Sequence, residues 1–327
     1  MRPTRLLLIG LLAGALAPGT WLRTPEPPRD FRRLVAIDAI TFRPAQAGPF
    51  ELVAAWQMTG DRVQFGGFSA LVLLDDERFL AASDGGRRLV FERPDRSSLP
   101  GVLDRFFGDD EESAKEGRDL ESLAIDPASG TVWGGYEFRQ SIVRFDEDYL
   151  PEAETRPRAM RDWEDNAGPE ALVRLADGRF LVMEERPRRW RGHHHAALIF
   201  ATDPVRDSRP ESVIVEFPAG YRPVDATPLG GARALVLLRS VAWGIPLRFE
   251  TALALLDIDR RDEDGLARAS LLAEFGTAIP QDNYEGLAIT EDDDGRHVWL
   301  ISDDNFMSFQ RTLLLKLAWR QREKARE

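Results

Sequence analysis

The chain has 327 residues, of which 43% are hydrophobic, and its 43 basic against 55 acidic residues give a formal net charge of −12. Such a length suits two ordinary domains or one large all-β domain. The acidic balance disfavours a nucleic-acid partner, because phosphate binding needs a large local basic face and the sequence contains no such stretch. The absence of cysteine excludes a disulfide framework and a lipid attached through an N-terminal cysteine.

The N-terminus has the pattern of a secretory signal. Two arginines precede an apolar run over residues 6–17, and a run of about a dozen residues has the length of a signal-peptide core. A comfortable membrane span needs roughly 20 apolar residues. Pro18 disfavours cleavage at the small-residue pattern before it, so residues 1–22 are a signal peptide or an uncleaved N-terminal anchor. Residues 23–33, rich in Pro and Arg, are expected to form a linker, and the folded part is expected to be periplasmic or secreted.

Five copies of one hairpin-like pattern organise the rest of the chain. Each copy has a polar or acidic residue, a short apolar run, a turn and a second apolar run that ends near a charge. The leading residues are separated by 52, 49, 55 and 60 positions and are Ser69, Glu121, Glu170, Asp225 and Glu285. Spacings of this size are typical of four-stranded propeller blades.

Further β-rich runs supply the outer strands, and amphipathic helices longer than two turns are not evident between residues 34 and 317. Alternating βα units are therefore disfavoured. The outer runs lie at 141–145, 196–200, 212–217 and 252–258.

Two strand-like runs, at 34–42 and 51–56, precede the first repeat and lack its signature. By analogy with other propellers they complete the last blade, or they form a sixth blade of their own. We therefore predict an all-β chain with one β-propeller over residues 34–319, five or six blades, and a charged C-terminal tail over 320–327. The alternative is a β-sandwich whose hairpins resemble one another by chance.

Acidic residues recur at both ends of these hairpins. In an antiparallel hairpin, the residue before the first strand and the residue after the second lie side by side at the open end. This rule pairs Ser69 with Asp84, Glu121 with Glu137, Glu170 with Glu184 or Glu185, Asp225 with Arg239, and Glu285 with Asp303. If the hairpins are the inner strands of successive blades, the open ends form a ring of charge at one mouth of the central channel.

Such a ring needs compensation, because closely spaced carboxylates repel and raise one another's pKa. Arginines near the second positions could neutralise the ring or bind an anionic substrate; they are Arg87, Arg139, Arg186 and Arg239. Alternatively, the acids hold a hard cation, because Ca²⁺ accepts oxygen ligands, and Mg²⁺ remains open. The candidate metal ligands are Asp84, Glu121, Glu137, Glu170, Glu285 and Asp303, and an oxygen-only set argues against zinc.

At these residues the chain resembles the phytase-like β-propeller family, also described as the esterase-like activity of phytase family. The matching pieces include "DLESLAID" with "GGYEFRQSIVRF", "NAGPEALVRLADGRFLVMEE", and "DNYEGLAI" with "LISDDNF", and the resemblance extends from about Phe65 to Leu317. It implies a secreted or periplasmic propeller, calcium-dependent, that hydrolyses phosphoric or other esters. This chain departs from a full acidic set, with Ser69 in the first repeat and Asp225 with Arg239 in the fourth.

Three functions stay open at this point. The first is a metal-dependent phosphoester hydrolase, with Glu121, Glu170 and Glu285 as catalytic residues and a metal-held water as nucleophile. The second is a non-catalytic propeller that binds a small anionic ligand or a protein partner at the same mouth. In the third, calcium is only a clamp between blades. We expect a monomer, no nucleic-acid partner, and membrane contact only through the N-terminal segment.

Other motifs carry weaker signals. The triple histidine 193–195 offers transition-metal ligands, but its Arg-rich surroundings favour a solvated loop. The stretch 108–119 has no EF-hand spacing and is expected to be an acidic surface loop. The absence of a G-x-S-x-G elbow disfavours a serine triad. The acids at 292–294 are assigned to a hairpin turn that ends at Gly295.

Overall fold

The structure is a computed structural model, and it describes residues 34–60, 65–106, 119–164, 166–189, 192–242, 248–277, 279–307 and 310–320. The predicted signal peptide or anchor, the linker, and nearly all of the acidic loop and the charged tail lie outside these residues. Over the described part, no helix is both long and apolar enough to cross a lipid bilayer.

The all-β prediction is confirmed, because strands and one short 3₁₀ helix, Arg158–Met160, make up the regular structure of the described residues. In chain order the first strands are β1 (Leu34–Ala39), β2 (Ala45–Ala47), β3 (Phe50–Thr59), β4 (Phe68–Leu73), β5 (Arg78–Ser83), β6 (Arg87–Glu92), β7 (Gly101–Arg105), β8 (Leu120–Ile125), β9 (Val132–Tyr136), β10 (Ser141–Phe145) and β11 (Pro151–Thr155). The remaining strands are β12 (Pro169–Arg174), β13 (Phe180–Pro187), β14 (His194–Phe200), β15 (Glu211–Glu216), β16 (Arg222–Gly230), β17 (Arg233–Ala242), β18 (Arg248–Asp257), β19 (Leu266–Arg268), β20 (Ser270–Glu274), β21 (Asn283–Asp292), β22 (Gly295–Asp303) and β23 (Thr312–Trp319).

The strands follow one another in antiparallel meanders. The groups are β4 to β7, β8 to β11, β12 to β15 with β19 beside β15, β16 to β18 with β20, and β21 to β23 with β3. The N-terminal strand β3 pairs with β23, as predicted for a strand that completes the last meander. Strand β1 pairs with both β3 and β7, so it joins the last meander to the first.

The first strands of the meanders contact one another in a closed cycle, β4, β8, β12, β16, β21 and back to β4. This is the arrangement of a β-propeller rather than two facing sheets. Each pair of neighbouring meanders encloses its own apolar cluster, for example Leu181 with Val236 and Phe106 with Phe145. Burial of these apolar side chains is the main stabilisation of the closed cycle of meanders, at roughly 25 cal/mol per Å² of apolar surface.

A buried ion-pair network, here called the closure network, lies between the first and last meanders. Arg93, 1% exposed, donates to both carboxylate oxygens of Asp292 at 2.8 and 2.6 Å and to Asp95 at 3.3 and 3.0 Å. Arg96 also donates to Asp292, at 2.9 Å, and Lys316 on β23 donates to Asp95 at 2.7 Å. Asp292 therefore ties two meanders together in addition to standing in the predicted hairpin turn.

Candidate functional site

A β-bulge recurs at one position in every inner hairpin. The register shifts between residues 68 and 70, 120 and 122, 169 and 171, 223 and 225, and 284 and 286. The extra residues are Ser69, Glu121, Glu170, Val224 and Glu285. Because a bulge re-aims the side chain of its extra residue, this repeated irregularity turns Glu121, Glu170 and Glu285 toward the channel mouth.

The predicted register of the fourth repeat is wrong by one residue, because Val224 and not Asp225 occupies the bulge. The predicted hairpin partners are also shifted. Arg239 lies opposite Arg222, and Asp303 lies opposite Asn283. The cause is the bulge itself, since the extra residue changes which positions oppose each other at the open end.

The predicted acids nevertheless converge. We call this cluster the acid ring, and it contains Asp84, Asp119, Glu121, Glu137, Glu170, Glu185, Glu285 and Asp303. Carboxylate oxygens of Asp119, Glu121 and Glu137 all lie within 4.8 Å of one another. The charges that act most on Glu121 are those of Asp119, Glu137, Asp84 and Asp303, and all of them are acidic.

The other side of the acid ring holds a guanidinium. Arg239 on β17 donates to Glu185 at 2.8 Å, forms a short ion pair with Glu285, and donates to the Asn283 side-chain oxygen at 3.1 Å. Asn283 in turn donates to Glu285 at 2.8 Å. Arg222 lies 3.5 Å from Glu185. The ring is thus divided into an acid-rich side and a side organised by Arg239.

The pKa values of four ring acids are raised, chiefly by burial. Burial raises the pKa of Glu121 and Glu170 well above its ordinary value, and neighbouring acids raise both further. The pKa of Glu137 rises to about 7 through burial and the Asp119 charge. The pKa of Asp303 also rises to about 7, through burial and then the nearby Asp84 and Asp304 charges. Without a cation, the acid-rich side therefore retains protons near neutral pH.

Two of the four predicted substrate-binding arginines, Arg139 and Arg186, pair with acids outside the acid ring. Arg239 contacts the acid ring, whereas Arg139 stacks over Tyr136 at 4.7 Å and lies 3.8 Å from Glu154 on β11. Arg186 pairs with Glu164 in the preceding loop. Arg87 is buried at the start of β6, next to the turn that follows Asp84. The roles assigned to Arg87, Arg139 and Arg186 stay predictions.

Asp225 lies outside the acid ring and has a structural role. Its side chain is 1% exposed and accepts the backbone N–H groups of Ala226 at 2.8 Å and Leu287 at 2.6 Å. Burial raises the pKa of Asp225 well above its ordinary value. Ser69 similarly donates to the carbonyl of Leu120 at 2.7 Å, so both side chains join neighbouring inner strands.

Sequence reasoning missed Asp119 and Arg222. A signal was present, because each of them stands two residues before a bulged residue, and the bulge brings that position to the mouth as well. The choice that the sequence left between Glu184 and Glu185 is also resolved. Glu185 contacts Arg239, while Glu184 lies opposite Pro169.

The donor set of the acid-rich side suits a hard cation. It presents carboxylate oxygens from several inner strands, with the guanidinium of Arg239 engaged on the opposite side. Ca²⁺ takes six to eight such oxygen ligands in flexible geometry. A divalent ion there would relieve the mutual repulsion that raises the pKa values of these acids.

Comparison with known proteins gives one family and several structures. The family model described as "Phytase-like: Esterase-like activity of phytase" matches residues 63–306. No curated protein matches the sequence.

Among solved structures, hydrazine synthase from Kuenenia stuttgartiensis is similar at 12% identity and a TM-score of 0.38, over 75% of this chain and 59% of that chain. U3-55K is similar at 9% identity and a TM-score of 0.43, over 80% of this chain and 98% of its own. The WD40 repeats of RRP9 are similar at 8% identity and a TM-score of 0.43, over 86% and 99%. The chain thus spans 59% of the length of the hydrazine synthase chain. At these TM-scores the three similarities support no conclusion about the function of this chain.

Proposed function

The chain belongs to the Phytase-like family, and on that premise we propose that it is a calcium-dependent hydrolase of phosphoric or other esters, acting at the acid ring. The observation that carries this proposal is the convergence of bulged and strand-end carboxylates on one mouth, with Arg239 beside them. The family supports the class of reaction, and the donor set supports the ion.

We assign the cation to the acid-rich side, with Asp84, Asp119, Glu121, Glu137 and Asp303 as its ligands. A bound Ca²⁺ would supply Lewis acidity and lower the pKa of a water molecule. Glu285 belongs to the other side, where its ion pair holds the Arg239 guanidinium in place. We therefore assign Glu285 a positioning role rather than a metal-binding one.

Arg239 and Glu170 are the residues assigned to the substrate. A guanidinium binds phosphate or carboxylate oxygens with two parallel hydrogen bonds, which suits Arg239 for holding an anionic ester. Glu170 lies between the acids and Arg239, since Glu121, Glu137 and Arg239 all act on its charge. Burial and neighbouring acids raise its pKa well above the ordinary range, so Glu170 can hold a proton that a general acid would donate.

The finer structural assignments follow the same proposal. Five blades are supported by the closed cycle of five inner strands, because β1 bridges two meanders and starts no blade of its own. The N-terminal secretory pattern supports a periplasmic or secreted protein. We propose a monomer that acts on a small anionic ester and binds no nucleic acid.

A second candidate is a propeller that binds an anionic ligand without turnover. The observation that favours it is the separation of the arginines, since Arg139 and Arg186 are engaged by Glu154 and Glu164. A site whose arginines are partly engaged by acids outside the ring can recognise an anion, but it offers less stabilisation to the transition state of phosphoryl transfer.

The test is turnover of an aryl phosphomonoester, an aryl phosphodiester and phytate by the mature chain, with calcium and after chelation. We expect calcium-dependent product release, and a loss of at least about 100-fold in Glu170→Gln, because general acid–base groups contribute that much. Glu184→Gln is the matched control. Glu184 is a buried glutamate whose pKa burial raises to about 7, but it lies outside the ring.

Two other outcomes would change the proposed function. Calcium-dependent binding of a substrate analogue without turnover would replace the hydrolase with the binding propeller. Chelation that lowers the melting temperature but leaves ligand binding unchanged would leave calcium as a clamp between blades.

A further inference from the structure

Two of the three consecutive histidines meet a carboxylate on the outer part of the third meander. His194 begins β14, and its cross-strand partner on β15 is Glu216. The Nε2 atom of His194 lies 3.4 Å from a carboxylate oxygen of Glu216, and the rings of His193 and His194 have centroids 4.5 Å apart. One ligand atom from each of the three residues lies within 4.8 Å of the other two.

The local fold explains why neighbouring histidines share one side. Consecutive residues of a regular strand point to opposite faces, and His195 obeys this rule: it is fully buried, with Nδ1 3.1 Å from the carbonyl oxygen of Glu184. His193 precedes the strand, and its carbonyl accepts the Phe217 N–H at 2.9 Å. The expectation of a solvated loop for residues 193–195 is therefore wrong for His194 and His195, which lie in β14.

Glu216 is also held by an arginine, which donates to the same carboxylate oxygen that lies nearest His194. Strand β19 pairs in parallel with β15 and puts Arg268 directly beside Glu216. Arg268 donates to Glu216 at 2.5 Å and to Asp262 at 2.8 Å. A hydrogen-bonded outer partner that orients a ligating carboxylate is the usual surrounding of a metal site.

Two imidazoles and one carboxylate differ chemically from the acid ring. Imidazole nitrogen is a ligand for borderline ions such as Zn²⁺, Ni²⁺ and Cu²⁺, whereas Ca²⁺ selects oxygen. Three protein ligands leave at least one coordination position of such an ion for water or an external ligand. We propose that His193, His194 and Glu216 form a second metal site, specific for a zinc-type transition ion and separate from the acid ring.

The site can be tested on the untagged mature chain, because the sequence has only four histidines. The ring C–H signals of all four are followed by NMR while Zn²⁺ is added, with calcium in excess to occupy the carboxylate sites. We expect two signals to move, and His193→Ala and His194→Ala to identify them, while those of His195 and His297 stay in place. Zinc that moves no histidine signal at tenfold excess, or moves that of His297 alone, overturns the proposal.

Matched variants separate ligation from charge. Glu216→Gln is expected to weaken zinc binding at least about tenfold, as measured by calorimetry in the presence of calcium. Glu211→Gln is the control, because Glu211 begins the same strand and pairs with Arg261 as Glu216 pairs with Arg268. Equal zinc affinity in the two variants would remove Glu216 from the site. Zinc should also raise the melting temperature of the wild type and not that of His194→Ala.

Discussion

The acid ring and the closure network are built from the same residue types but have opposite electrostatics. In the closure network the hydrogen bond from Arg93 lowers the pKa of Asp292 to about 2, and the charges of Arg93, Arg96 and Lys316 add to it. In the acid ring, burial and neighbouring acids raise the pKa of Glu137 and Asp303 to about 7. Acids that face cations thus form a structural ion-pair network, whereas acids that face other acids form a candidate functional site.

The largest expected effect is the loss of stability when the closure network is broken. Arg93→Met leaves the Asp292 side chain, 9% exposed, without its main partner, and removal of one member of a buried pair costs about 3–5 kcal/mol. Denaturant unfolding measures this loss. Arg209→Met, which removes the exposed partner of Asp207, should leave the midpoint unchanged. A loss for Arg93→Met as small as that of the control would show that the network does not hold the meanders together.

The next effect concerns pH. The folded pKa of Glu137 is about 7 against an ordinary 4.5, so the folded chain binds more protons than the unfolded chain between these values. Stability of the calcium-free chain is therefore complete below about pH 4 for this group and falls as pH rises toward 7, by on the order of 3 kcal/mol. Melting temperatures at pH 5 and pH 8 after chelation measure this fall.

Calcium supplies the control for that prediction. A bound cation favours the charged carboxylates, so saturating calcium should reduce or reverse the fall in melting temperature. A chelated chain that is more stable at pH 8 than at pH 5 would contradict the proton-retaining ring.

The smallest expected effect tests the division of the acid ring into an acid-rich side and a side organised by Arg239. Arg239→Met removes the cation that offsets Glu185 and Glu285. Calcium affinity measured by calorimetry should then increase by about tenfold, or 1.4 kcal/mol, while turnover falls because the substrate loses its guanidinium. Calcium affinity that is unchanged in this variant would place Arg239 outside the electrostatics of the metal site. Arg139→Met, at a residue that faces Glu154, should leave calcium affinity unchanged.

Much of the fold follows from short-range pattern. Turn residues and apolar alternation marked the inner hairpins, and their spacing marked the meanders. The closure by β3 was predicted by analogy, because the runs before the first repeat lacked its signature. The acids Glu121, Glu170 and Glu285 were identified because each is a charge that stands directly before an apolar strand in its copy of the repeat.

The rest depended on geometry that single residues do not encode. The bulge has no fixed residue type, and with an apolar Val224 in it the acid one position later became the apparent match. The sequence does not show whether an arginine side chain extends to the acid ring, as that of Arg239 does, or to an outer strand, as that of Arg139 does. The carboxylate beside His193 and His194 belongs to Glu216, which lies on another strand 22 residues after His194. The sequence alone did not show that these residues are neighbours.

The pairing of β3 with β23 has a consequence for the order in which the chain folds. Residues 50–59 are synthesised early, but their partner strand at residues 312–319 is synthesised much later. Until then one edge of β3 has no hydrogen-bonding partner from β23, and contacts so distant in sequence form slowly. The last meander can therefore close only when synthesis has passed residue 319, so the growing chain carries an unpaired strand edge during that interval.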